Sequence, residues 1–206
     1  QGTKGMHNKF ALFSSVSGQQ NVVVQSSANV TDVNHVSYWN NALTVTGDDG
    51  LYRAYHSYHA DMARMEQTPD YHRTEASRGP SGATVARFFP AAAADPVAQR
   101  LSELQCKNKN STVAVAMSEW DDTRTAIAEE LGRLKSQGCA VSVAAGPVGE
   151  QVAGVLAAAG IEHRPVEDTS TTGRVHSKYL VVSGMRDNAS PEGRRGDSSF
   201  VFTGSH

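Results

Sequence analysis

Apolar and polar positions along this 206-residue chain fall into two textures that change near residue 84. Before that point, apolar runs on either side of a Ser/Gly/Gln loop at 15–20 predict strands over 6–14 and 21–26. The polar stretch 28–37 predicts a loop, and 41–46 a further short strand. Gly47-Asp48-Asp49-Gly50 then opens a predicted helix over 50–66, with Leu51, Tyr52, Tyr55, Tyr58, His59 and Met62 at helical spacing. Residues 67–83 hold Pro69, Pro80 and several Gly, Ser and Thr, the composition of a linker.

The second texture alternates strand and helix. It predicts a strand over 84–89, a helix over 95–105 with Pro96 in its first turn, and a buried strand over 112–117. A helix capped by Asp121 follows, with Ile127, Leu131 and Leu134 on one face and Gly138 at its end. Next come a strand over 139–143, a helix over 147–159 stopped by Gly160, a short strand over 161–166, and a strand at His176. This alternation predicts an α/β fold with a mainly parallel or mixed sheet covered on both faces.

Composition narrows the picture modestly. With 39% hydrophobic and 19% charged residues the chain has the balance of a globular protein. No run approaches the ~18 apolar residues of a membrane span. A net charge of −2 leaves no basic footprint, which counts against a dedicated nucleic-acid binder. Gln1 is not a natural start, so the lack of a signal peptide says nothing about export.

The chemistry sits in a duplication. His7-Asn8-Lys9-Phe10-Ala11-Leu12-Phe13-Ser14 and His176-Ser177-Lys178-Tyr179-Leu180-Val181-Val182-Ser183 share His-x-Lys, an aromatic, an apolar run and a serine. Each is followed by a second apolar run ending in small polar residues, at Ser26-Ser27-Ala28-Asn29 and at Thr203-Gly204-Ser205-His206. On a strand, residues i and i+2 share a face, so each His is expected to point with its Lys. A site receiving both pairs would hold two imidazoles and two ammoniums, equipment suited to breaking a phosphodiester.

These residues resemble the signature of the phospholipase D superfamily in its two-motif secreted bacterial form: His-x-Lys, four residues, Asp, then Gly-Ser…Asn. Ser14 and Ser183 stand where the signature has Asp, Ser26-Ser27 stands at the first Gly-Ser, and the second copy stops at His206. The resemblance implies two α/β halves, mixed sheets flanked by helices, related by pseudo-twofold symmetry. Residues 1–66 would be the C-terminal part of the first half, 67–83 the linker, and 84–206 the second half, truncated at its end. Six residues precede His7 whereas 92 residues of α/β pattern (84–175) precede His176. The chain is therefore expected to be an internal segment of a protein of roughly 350–400 residues.

The resemblance also implies a two-step displacement with no cofactor and no obligatory metal. His7 would attack phosphorus to form a phosphohistidine, and His176 would protonate the leaving alcohol and then activate water. Lys9 and Lys178, set among apolar residues, are expected to hold the phosphate, with Ser27, Asn29 and Ser205 as further phosphate contacts. Ser14 and Ser183 are expected to tune the imidazoles in place of the signature Asp, donating or accepting a hydrogen bond without adding charge. Three readings follow: an enzyme hydrolysing or transferring phospholipid phosphodiesters, a nuclease, or a catalytically impaired binder of phosphate-containing ligands.

Other features carry less. His56 and His59 are three apart on the tyrosine-rich helix, but no nearby Cys, Glu or third His completes a set, so no metal is expected. Glu119 and Trp120 follow a buried strand, at the end where parallel sheets bind ligands; Trp120 suits a pocket wall or the core equally. Asn29, Asn110 and Asn188 begin glycosylation sequons. Cys106 and Cys139 could pair or be two buried thiols. Their predicted places, at the end of one helix and the start of the strand after the next, put both at one edge of a parallel sheet, within bridging range. A bridge would imply an oxidising compartment and hence secretion.

Overall fold

The computed structural model describes residues 6–65, 70–80, 82–166, 173–188 and 197–204. In chain order the first elements are β1 (Phe10–Val16), β2 (Gln19–Ser26), α1 (Asp32–Val36), β3 (Tyr38–Trp39), β4 (Ala42–Val45) and α2 (Asp49–Ala63). Then come β5 (Arg73–Gly79), β6 (Gly82–Phe88), α3 (Pro96–Ser102), β7 (Leu104–Cys106), β8 (Thr112–Met117) and α4 (Thr125–Ser136). The last are β9 (Ala140–Ala145), α5 (Glu150–Ala158), β10 (His163–Pro165), β11 (Arg174–Val175), β12 (Lys178–Asp187) and β13 (Asp197–Thr203). Among the described residues the fold is mixed α/β, with several sheets and five α-helices.

The chain divides into two units: a larger one of residues 1–8, 27–41 and 95–206, and a smaller one of 9–26 and 42–94. In the smaller unit β1, β2 and β4 form an antiparallel sheet. Ser17 and Gly18 join β1 to β2 with φ of 48° and 77°, the doubly left-handed turn that suits the twist of a two-residue hairpin. Asp48 starts α2 by accepting the Leu51 N–H at 2.9 Å. Val23, Val45, Leu51, Tyr58 and Phe88 form the core of this unit.

This division departs from the expected one. Residues expected within the linker pair as the β5–β6 hairpin, from Arg73↔Phe88 to Gly79↔Gly82, and the strand expected to open the second half is β6 of the smaller unit. The prolines misled: Pro80 lies in the turn of this hairpin, outside both strands, where a missing N–H costs no ladder bond. The predicted loop at 28–37 contains the short helix α1. Asp121 caps a 3-10 turn at Asp122–Arg124, and α4 begins only at Thr125.

The larger unit is built on a six-stranded sheet. β10, β9 and β8 run parallel; β12 lies antiparallel beside β8, and β13 beside β12. β12 is long enough to take β8 against Lys178–Ser183 and β7 against Met185–Asp187. Between these stretches Gly184 has a φ of 67°, where a side chain would be strained, and the register to β13 shifts. Leu101, Leu104, Leu131, Leu134 and Leu156 are fully buried in the core.

At the end of β12 lies a buried ion pair. Asp187, 1% exposed, takes both terminal nitrogens of Arg100 and accepts the Ser198 hydroxyl at 2.8 Å. Arg100 also reaches Glu103 at 2.7 Å and lies 5.0 Å from the centre of the Phe200 ring. Burial alone pulls the guanidinium pKa down, but the hydrogen bond and charge of Asp187, aided by Glu103, outweigh it and raise it.

Cys106 and Cys139 form a disulfide with Cα atoms 5.5 Å apart, joining the end of β7 to the residue before β9. The bridge closes a loop over a sequence separation of 33, containing β8 and α4. Reduction is expected to lower the unfolding free energy by about 3–4 kcal/mol, read as a shift in denaturant midpoint with and without reductant. An unchanged midpoint would mean that the bridge constrains nothing that unfolds.

Candidate active site

The duplicated motif corresponds to a duplicated local structure. His7-Asn8-Lys9 leads into the β1–β2 hairpin and His176-Ser177-Lys178 into the β12–β13 hairpin. The Lys9 carbonyl accepts the Ser26 N–H at 2.8 Å, and the Lys178 carbonyl the Gly204 N–H at 3.4 Å. The histidines, however, precede the strands that they were expected to occupy, since β1 starts at Phe10 and β12 at Lys178.

What holds His176 is the segment 37–41, which belongs to the same unit. β11 pairs parallel with β3, the Trp39 carbonyl accepts the His176 N–H at 2.8 Å, and it also takes the Ser177 hydroxyl at 3.1 Å. Asn41 continues the seam: its Oδ1 accepts the Lys178 N–H at 2.9 Å and its Nδ2 donates to Thr203 Oγ1 at 2.6 Å.

Within the larger unit a cleft of about 560 Å³ is lined by His7, His176, Lys178, Asn29 and Tyr38, and by Ser118, Glu119 and Asp121 beyond the end of β8. The His7 and His176 rings are 6.4 Å apart, edge to face, and Tyr38 lies 5.8 Å from His176.

Asn40 sets the proton on His176. Its Nδ2 donates to the carbonyls of Asn34 at 2.8 Å and Tyr38 at 3.1 Å, which fixes the amide so that Oδ1 points the other way. Oδ1 lies 3.1 Å from His176 Nδ1 and can only accept, so Nδ1 carries a proton and the lone pair of the neutral ring is on Nε2. Ser27 steadies the same oxygen: its hydroxyl donates to Asn40 Oδ1 at 3.0 Å while accepting the Asn41 N–H at 3.0 Å.

Lys178 is 8% exposed, and its ammonium donates to the His176 carbonyl at 3.1 Å, beside the imidazole that it accompanies in the motif. Asn29 lines the cleft and its N–H donates to Asn34 Oδ1 at 3.2 Å. Ser27 is fully buried and bonded to Asn40 and Asn41, so its expected phosphate contact is corrected to a positioning role. Ser205 lies outside the described residues. Lys9 belongs to the smaller unit, and partial burial lowers its ammonium pKa.

The serines at the signature Asp positions both lie exposed on strands. Ser14 is exposed on β1 of the smaller unit. Ser183, also exposed, lies five residues along β12 from Lys178, about 16 Å at strand rise, and its oxygen accepts from Ser199 at 3.3 Å. The group that orients His176 is Asn40, which motif reading missed. Its sequence signal was a pair of consecutive amides, Asn40-Asn41, after an aromatic residue.

Trp120 is a core residue, 4% exposed, whereas its neighbour Glu119 is exposed on the cleft. His56 and His59 are exposed on α2 of the smaller unit. Among the described residues no three His, Cys, Asp or Glu side chains group to hold a metal ion, and no helix is long and apolar enough to cross a membrane.

No protein-family model matches the chain, and no curated protein matches it. Among solved structures it is similar to the crystal structure of a polyphosphate kinase from Porphyromonas gingivalis, with a TM-score of 0.46 and 14% identity over 86% of this chain. The match covers 27% of that chain, so this sequence spans about a quarter of its length. The assignment to the two-motif secreted phospholipase D form is corrected, since no protein-family model supports it. The resemblance rested on a few motif residues, and at the signature Asp positions this chain has Ser14 and Ser183.

Proposed function

We propose that the cleft of the larger unit cleaves phosphodiesters through a histidine-bound intermediate. One observation carries this reading: His7 and His176 face each other at 6.4 Å in one cleft, and Asn40 holds the Nδ1 proton of His176. Two imidazoles can divide the work of nucleophile and acid/base, and the one oriented through its second nitrogen suits proton transfer.

In the first step a neutral nitrogen of His7 attacks phosphorus as the bond from phosphorus to the leaving oxygen breaks. Protonated His176 delivers its Nε2 proton to that oxygen, and the alcohol departs. In the second step His176, now neutral, takes a proton from water as the water oxygen bonds to phosphorus. The P–N bond breaks, its electron pair returns to His7, and a phosphomonoester is released. Lys178 supplies positive charge to the non-bridging oxygens through both steps. An alcohol in place of water would give transfer instead of hydrolysis.

Bis(p-nitrophenyl) phosphate tests the reaction, since nitrophenolate release reports on the first step. Absence of turnover between pH 5 and 9 would overturn the reading. Asn40 provides a sharper check on His176. Asn40→Ala removes the acceptor that fixes the tautomer and is expected to lower kcat by roughly 10–100-fold with little change in KM. Asn40→Asp keeps an acceptor and adds a negative charge, which favours the imidazolium and raises the pKa of His176. With a substrate whose leaving group is an alkyl alcohol, the first step needs His176 protonated, so the alkaline limb of the pH–rate profile should move to higher pH. A profile that stays in place would remove Asn40 from the mechanism.

A further inference from the structure

The C-terminal end of β8 carries a hydroxyl that the fold itself does not use. Ser118, the first residue after that strand, is 5% exposed and lines the cleft with His7, His176 and Lys178. A serine at such a place ordinarily bonds nearby backbone. Here the backbone is served without it. The Met117 carbonyl accepts the Gly146 N–H at 2.9 Å, and the N–H and carbonyl of Trp120 pair with Pro147 and Gly149 at 3.0 and 2.8 Å. The Ser118 hydroxyl has no hydrogen-bond partner among the described residues, yet it is not one of the fully enclosed polar atoms there. Its opening is to the cleft that the residue lines. Ser111, before the other end of β8, is the contrast: fully buried, it donates to the Gly184 carbonyl at 2.6 Å and accepts the Lys107 N–H at 3.0 Å.

We infer that Ser118 is a substrate-binding residue whose hydroxyl donates to a non-bridging oxygen of the phosphoryl group. The inference rests on the phosphodiester chemistry proposed above and adds a residue to that site. A buried hydroxyl lacking a partner is destabilising, and a phosphoryl oxygen in the cleft supplies the missing acceptor. The sheet places Ser118 for this: Met117 lies opposite Lys178 across the β8–β12 ladder, so Ser118 follows directly on the residue that faces the motif lysine. The charged groups lining the cleft are of both signs, Glu119 and Asp121 against Arg174 and Lys178. A neutral donor adds a directed bond without changing that balance. Ser118 thereby fills the role that the sequence suggested for Ser27, from a strand that carries no part of the repeated motif.

Turnover of bis(p-nitrophenyl) phosphate, with calorimetric titration of inorganic phosphate beside it, tests the assignment. Ser118→Ala is expected to raise KM about tenfold with little change in kcat, the effect of losing one hydrogen bond to a charged group in both ground and transition states. Its urea midpoint should hold or rise slightly, because no bond within the protein is lost. Ser111→Ala should do the opposite, lowering the midpoint and leaving KM in place. If Ser118→Ala loses stability as well, Ser118→Thr, which keeps the hydroxyl, decides: KM restored to the wild-type value supports the inference, and KM still raised overturns it. An unchanged KM in Ser118→Ala overturns the inference and leaves the phosphodiesterase reading standing. In a wild-type protein without turnover, phosphate binding that weakens about tenfold in Ser118→Ala keeps the residue as an anion ligand and ends that reading. Neither turnover nor Ser118-dependent phosphate binding ends both.

Discussion

Replacing His176 by alanine is expected to cut phosphodiester turnover by roughly 10³-fold or more while leaving the protein chemically trapped. Acid/base catalysis by a positioned imidazole contributes about 10²–10⁴-fold, and residues acting as a unit lose nearly everything together. The His7→Ala,His176→Ala double variant should therefore be little worse than either single one. The covalent step separates the two roles. With a good leaving group such as nitrophenolate, attack by His7 does not need a proton donor. His176→Ala should form the phosphohistidine and then stall, because nothing activates water. Intact-mass measurement at neutral pH should find the adduct on His7 in that variant and none in His7→Ala. The reverse labelling would exchange the two roles, and full activity in both variants would end the mechanism.

The largest effect on stability is expected far from the cleft, at Asp187. Removing its carboxylate in Asp187→Ala leaves Arg100 charged and 9% exposed, with Glu103 and the Phe200 face as its remaining partners. Breaking one side of a buried pair costs about 3–5 kcal/mol, a large part of the roughly 5–15 kcal/mol that holds a domain together. Urea unfolding should show a correspondingly lower midpoint. Arg100→Met combined with Asp187→Leu removes both charges and keeps apolar volume, so it should recover much of the loss. A double variant as unstable as Asp187→Ala would mean that packing, and not the orphaned charge, sets the cost.

How much of this was legible in the sequence depended on the range of the interactions involved. The β8–α4–β9–α5 stretch could be read because apolar periodicity and Gly138 and Gly160 act within a few residues. Cys106 and Cys139 could be matched once that order was in hand. The β5–β6 hairpin was hidden because its exposed, alternating residues resemble a linker and Pro80 sits in its turn. His7 and His176 were visible as a repeated word. Asn40 was not, because its partner lies 136 residues away, and the amide pair Asn40-Asn41 carries no periodic pattern. Ser14 and Ser183 show a related limit: alignment to a motif gives a position along a strand but not what that position touches.

The discontinuity of the larger unit has a consequence for its biosynthesis. The stretch 27–41 emerges early, between β2 and β4 of the smaller unit, yet Asn40 and Asn41 serve residues 176 and 178. The strands of the smaller unit can pair as soon as residue 88 has left the ribosome, since all their partners have been made. The polar stretch 27–41 must wait with its amides hydrated until nearly ninety more residues have followed. The proposed site therefore cannot assemble before residues 176 and 178 are made, and a stall ahead of them leaves Asn40 and Asn41 without these partners.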